Sequence, residues 1–169
     1  MIIIDLETTG TLPETCQMVS LGAVDYKTGD TFYGECRIYE SDQWSQEALD
    51  INGFTLQQIT DKTKPTPVQL YQAFVKWCEG RSTQLAGHNI AGFDVLFLKN
   101  VHRRQNKIKD FPFHFRYIDL HSVAYAKLKK SYSLKKICEK LGVPPEPDPH
   151  NALNGALAEY ECFKILLND

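Results

Sequence analysis

The chain opens on a run of β-branched residues, Ile2-Ile3-Ile4, that passes at once into Asp5-Leu6-Glu7 and then Thr-Thr-Gly10. Three successive isoleucines leave no polar face, so the run reads as a buried strand. Strand side chains alternate, which puts Asp5 and Glu7 on the same side just as the strand ends. Two like charges held there require a cation between them.

Around that strand, residues 16–26 and 31–39 read as two more, joined by turn chemistry at Gly10-Thr-Leu-Pro13 and a short hairpin at Lys27-Thr-Gly-Asp30. Two small helices follow at 46–52 and 55–60, then a stronger one at 67–80, where Val68, Tyr71, Phe74 and Val75 keep helical spacing. From there β and α alternate: a strand at 83–87, and a helix at 93–104 with Val95, Leu96, Leu98 and Val101 facing inward. A strand at 115–118 precedes helices at 119–129 and 133–141 and a last helix at 151–167. Strands first and alternation later predict an α/β fold, a mixed sheet with helices on its faces. The 169 residues, 43% of them hydrophobic, suffice for one domain spanning 1–169 with a sizeable core. The stretch Val143-Pro-Pro-Glu-Pro-Asp-Pro149 is too short for a linker and reads as a stiffened loop leading into His150.

A net charge of −2 means that any binding to phosphate backbones must come from a local basic patch or from metal ions. Cys16, Cys36, Cys78, Cys138 and Cys162 are odd in number and form no C-x-x-C pair, as expected of reduced thiols and not of a disulfide framework or zinc site. No apolar run approaches the ~20 residues of a membrane span, and a strand beginning at residue 2 leaves no room for a signal peptide. A soluble, cytoplasmic protein is expected.

A third acid, Asp94, lies in Gly87-His88-Asn89-Ile-Ala-Gly-Phe93-Asp94, at another strand end. Strand ends in open α/β sheets converge on a ligand crevice. Three converging acids suit a hard divalent cation, Mg²⁺ or Mn²⁺, and a pair of such ions suits in-line hydrolysis of a phosphodiester. A histidine near them can take the proton of the attacking water, because an unperturbed pKa of about 6.5 leaves a neutral fraction at pH 7. His150 is the candidate.

Asp5-Leu-Glu7-Thr-Thr-Gly10, His88-Asn89 with Phe93-Asp94, and His150-x-Ala152 together resemble the three signatures of the DEDDh 3′–5′ exonucleases, proteins of ribonuclease H-like fold. Ala48-Leu-Asp-Ile-Asn-Gly-Phe-Thr and Tyr132-Ser-Leu-Lys-Lys-Ile-Cys-Glu-Lys-Leu-Gly142 also resemble family segments. The resemblance implies a three-layer fold with a five-stranded sheet and two Mg²⁺ or Mn²⁺ ions. Asp5 and Glu7 would then hold the nucleophile-side ion, Asp5 would bridge to the second ion, and Asp94 would support that one. It implies further that His150 is the general base, that backbone at Thr8 and Thr9 approaches the terminal nucleotide, and that Asn89 and Phe93 line its site. The implied substrate is a single-stranded 3′ end of DNA or RNA, with a polymerase or a second copy as partner.

Three departures from the pattern matter. The family places an aspartate five residues after the histidine, and here that residue is Gly155, so the nucleophile-side ion loses a ligand and strong impairment is expected. Glu159 lies one turn on, and about 5.4 Å of rise is more than one extra methylene covers. Three residues instead of two separate Asn89 from Phe93, with Gly92 to absorb the length; Thr11 stands where an apolar wedge is common, with Leu12 beside it as substitute. Lys127, Lys129, Lys130, Lys135, Lys136 and Lys140, interleaved with Tyr125 and Tyr132, could steer a single strand. Two alternatives remain: a nucleic-acid-binding module that kept the fold without the chemistry, and a phosphatase with an aspartyl nucleophile, disfavoured because residue 7 is Glu.

Overall fold

The computed structural model describes residues 1–105 and 110–168. β1 (Ile2–Thr8), β2 (Met18–Asp25) and β3 (Thr31–Glu35) come first, followed by α1 (Gln46–Asn52), α2 (Leu56–Thr60) and α3 (Pro67–Trp77). Then come β4 (Leu85–Gly87), α4 (Asp94–Arg103), β5 (Ile118–Asp119), α5 (Leu120–Leu128), α6 (Leu134–Leu141) and α7 (Ala152–Asn168). The strands form one five-stranded sheet in the order β3-β2-β1-β4-β5. The β1–β2 and β2–β3 pairs are antiparallel, whereas β4 runs parallel to β1 and to β5. This is the mixed sheet expected from strands first and alternation later.

β1 lies at the centre and is covered on both faces. Ile2, Ile4 and Leu6 pack into a core with Leu70 and Phe74 of α3 and Phe97 and Val101 of α4. Ile3 points the other way, to Leu120, Ile137, Ala156 and Phe163 of α5, α6 and α7. The strand period therefore places Asp5 and Glu7, in step with Ile3, on the α7 side. Both carboxylates face the last helix.

Local chemistry sets the helix ends. Thr66 accepts from the Gln69 backbone while Gln69 reaches back to the Thr66 N–H, a capping box that starts α3. Ser133 caps α6, and Gly142, at φ 71°, stops it in the left-handed conformation. The strands expected at 31–39, 83–87 and 115–118 are shorter, ending or beginning at Glu35, Leu85 and Ile118. After Glu35 the chain leaves the sheet edge because Arg37 and Ile38 donate to Pro65 and Ile59 instead of a strand. Leu96, expected to face inward, is exposed, since the buried stripe of α4 runs through Val95, Phe97, Leu98 and Val101. All five cysteines are free and buried, and no helix among the described residues is long and apolar enough to cross a membrane.

The approach of α7 to the sheet depends on Gly22. In the β1–β2 register Gly22 sits opposite Asp5, and a Cβ built on it would lie 2.1 Å from the carbonyl oxygen of Ala152 and 2.4 Å from the Leu153 nitrogen. Backbone, not a movable side chain, fills that space. We expect Gly22→Ala to cost about 1–3 kcal/mol by overpacking, read as a lower midpoint in urea unfolding; an unchanged midpoint would mean that α7 retreats freely.

Candidate active site

Asp5 and Glu7 end β1, Asp94 opens α4, and His150 stands just before α7. A cleft of about 610 Å³ opens over the end of β1, in the size range of ligand sites. Asp5, Glu7, Thr8, Leu12, Phe93 and His150 line it, together with Glu146, Trp44, Ile51 and Leu134. Thr9 and Asn89 stand outside its walls. The Thr9 hydroxyl donates to the Gln43 carbonyl at 2.6 Å and accepts from the Gln17 N–H at 3.0 Å, which ties the loop after β1 to its neighbours.

Asn89 takes a left-handed φ of 56°, uncommon for a residue with a side chain, in the turn between β4 and α4. The bare Cα of Gly92 makes room for it, since a Cβ there would lie 2.9 Å from the Asn89 Oδ1. The extra residue between the two halves of this motif is thus taken up by a compact turn, closed by the Gly92 N–H on the Asn89 carbonyl at 3.0 Å. Asp94 emerges from it 3% exposed, with its Oδ1 lacking any hydrogen-bond partner.

Gly155 faces Asp5 directly. A Cβ at residue 155 would lie 2.2 Å from Asp5 Oδ2, so the Asp5 carboxylate occupies the space that a side chain from α7 would take. Glu159, one turn further on, is 1% exposed, and its Oε1 accepts the His88 N–H at 3.0 Å while Oε2 has no partner. The helical rise that argued against its reach is offset because helix side chains tilt back toward the N-terminus. It therefore comes up behind Asp5 and ties α7 to the β4–α4 turn, without reaching the cleft wall.

Glu146, which no motif marked, comes from the proline-rich loop. One ligand atom each from Glu7, Glu146 and His150 lie within 4.8 Å of one another. The His150 Nδ1 is 3.5 Å from Glu146 Oε2, and its Nε2 is 3.7 Å from Asp148 Oδ1. A glutamate in the loop before His150 was the available signal, but nothing in the loop's periodicity shows which way it points.

The electrostatics of this cluster are lopsided. Burial, then Glu159 and the other acids, hold the Asp5 carboxyl well above the usual carboxylate range. Burial, then Glu146 and Asp94, push Glu7 up to about 8. Burial raises Asp94 to about 7 and also raises Glu159 and Glu146. No lysine or arginine among the described residues pairs with Asp5, Glu7, Asp94 or Glu159. Among the described residues the acids are relieved only by taking up protons.

A family model described as exonuclease, of the ribonuclease T type, matches residues 2–163. The chain belongs to this exonuclease family, that of the DEDDh 3′–5′ enzymes. The chain is 30% identical over 166 residues to the PolC-type DNA polymerase III of Thermotoga petrophila, a match covering 96% of this chain and 11% of the relative. The Thermotoga maritima polymerase gives the same figures, so the chain spans about a tenth of these curated relatives. Its fold is that of the nuclease domain of 3′hExo, a DEDDh family member solved with bound rAMP: the TM-score is 0.78 and the identity 22%, over 99% of this chain and 91% of that one. Escherichia coli exonuclease I, solved with an oligonucleotide, superposes with a TM-score of 0.79 at 18% identity, over 99% and 40% of the two chains. The sheet and its helices are ribonuclease H-like.

Carboxylates whose pKa is higher in the folded than in the unfolded chain bind more protons when folded, so stability falls as pH rises. The window runs from the ordinary carboxylate range up through about 7 for Asp94 and about 8 for Glu7. In EDTA the protein should therefore melt at a lower temperature at pH 8 than at pH 6, and Mn²⁺ should recover most of the difference at pH 8. A flat profile would show that the acids are compensated within the chain.

Proposed function

We propose that this chain is a metal-dependent 3′–5′ exonuclease that hydrolyses phosphodiester bonds at single-stranded 3′ ends of DNA or RNA. The observation that carries the reading is the cleft itself: Asp5 and Glu7 from β1 open onto it beside His150, Asp94 is buried behind its wall with Oδ1 unpartnered, and no lysine or arginine among the described residues pairs with these acids. Orphaned oxygen donors from separate elements fit hard divalent cations. Asp5, Glu7 and Asp94 would hold them. A bound pair of such ions supplies a lowered pKa for the attacking water and charge neutralisation at the scissile phosphate.

The rest is the work of the chain's own groups. His150, at the cleft mouth and 44% exposed on its side chain, accepts the water's proton on a ring nitrogen as the new P–O bond forms, and the leaving 3′-oxygen departs with the rest of the strand. Phe93, Leu12 and Trp44 present apolar surface on the cleft wall, where a terminal base can stack. Leu134 brings the start of α6 to the rim, so Lys135 and Lys136 lie close enough to draw the backbone of a strand toward the cleft. The complexes of 3′hExo with rAMP and of exonuclease I with an oligonucleotide support this choice of substrate class, and the Thermotoga relatives support a polymerase as partner.

Gly155 favours a second reading, a nucleic-acid-binding module without turnover. The two separate on a 5′-labelled single-stranded oligonucleotide incubated with Mg²⁺ or Mn²⁺. Exonuclease action gives a ladder shortening from the 3′ end, and His150→Ala should slow it by about 10²–10⁴-fold while leaving Mn²⁺ binding in place. Retained oligonucleotide binding with no ladder, in the chain as given and after Gly155→Asp, would establish the binding module instead.

A further inference from the structure

Residue 155 leaves the cleft one carboxylate short, and the loop before α7 brings one in. The Glu146 side chain is only 9% exposed and lines the cleft with Asp5, Glu7 and His150. Its Oε1 accepts the Asn151 N–H at 2.5 Å, which anchors it to the start of α7, while Oε2 lies 3.5 Å from His150 Nδ1. Pro145 and Pro147 flank it in a loop of four prolines, so its position is held by a backbone with little freedom. The arrangement is built, not incidental to a mobile loop.

What faces Glu146 points to a ligand. Glu7 is 7% exposed and its carboxylate makes no hydrogen bond or ion pair with any described residue, yet that carboxylate and the one of Glu146 approach within 4.8 Å. Two carboxylates drawn together in a partly dry cleft are held by a shared proton or by a cation, and a divalent ion is the occupant that the other acids of the cleft favour. Glu159, the other unassigned acid, gives Oε1 to the His88 N–H and does not line the cleft, so its second oxygen stays behind the wall. We propose that Glu146 supplies the carboxylate that residue 155 lacks, so that Asp5, Glu7 and Glu146 together hold the nucleophile-side divalent cation.

This inference rests on the exonuclease reading of the cleft, and its test separates the two. Mn²⁺ binding is measured by calorimetry on EDTA-stripped protein, for the chain as given and for Glu7→Gln, Glu146→Gln, Gly155→Asp and the Glu146→Gln/Gly155→Asp pair, with turnover on a labelled oligonucleotide alongside. Glutamine keeps an acceptor for the Asn151 N–H, and circular dichroism checks that each variant is folded. The expected result is that Glu146→Gln weakens the tightest Mn²⁺ site by about tenfold or more, and that adding Gly155→Asp restores both affinity and turnover. Affinity within about twofold of the parent in Glu146→Gln, with a clear loss in Glu7→Gln, overturns the role of Glu146 and leaves the exonuclease reading standing. No loss in Glu7→Gln overturns that reading as well. A loss in Glu146→Gln that Gly155→Asp does not repair assigns Glu146 to holding His150 and α7 in place, and the replacement falls.

Discussion

The first turns of α7 lie so close on β1 and β2 that neither surface has room for a side chain where they meet. Gly22 on β2 gives its Cβ space to the Ala152 carbonyl, and Gly155 on α7 gives its own to the Asp5 carboxylate. From this contact the rest of the site follows. It sets His150 at the mouth of the cleft, lays Gly155 over Asp5, and brings Glu159 under the β4–α4 turn, where it accepts the His88 N–H. A helix one side chain further away would leave the histidine and the acids of β1 in separate regions of the surface.

Packing of that kind gathers acids without partners, and gathering them is costly. Asp94 and Glu159 are buried near Asp5 and both raise its proton affinity, and Asp94 raises that of Glu159 as well. Proteins tolerate such clusters at functional sites because the ligand that relieves them is the one the chemistry needs. The stable β1 core and the unfavourable charge at its end are two faces of a single strand: Ile2, Ile4 and Leu6 fill one core, and Ile3 begins the row that ends in Asp5 and Glu7.

Much of this was legible in the sequence, and the reasons are specific. The period of two in β1 put Asp5 and Glu7 on one side, and the motifs placed Asp94 and His150 around them. Helix starts at Thr66 and Ser133 were readable because capping is a local interaction. The doubt that Glu159 could stand in for a side chain at 155 agrees with its place outside the cleft wall, but its bond to the His88 N–H was not foreseen, because that contact joins two elements distant in sequence. Glu146 could not be placed at all, since a loop of four prolines has no periodicity from which to read direction. The short β4 and β5 were overextended for a related reason: how far a strand pairs depends on its neighbour's length, which is a tertiary fact.

The fit of Gly155 against Asp5 also changes what a glycine in the middle of a helix means. By helix propensity alone it is the weak link of α7, about 1 kcal/mol worse than alanine. By position it is where the helix borrows a carboxylate's volume, and any side chain placed there must first turn Asp5 away. Residues 5 and 155 therefore share one space, and a side chain at 155 calls for a new rotamer at Asp5. The worth of a substitution at either is set by the rotamer of the other, and a consensus drawn up one position at a time would misread both.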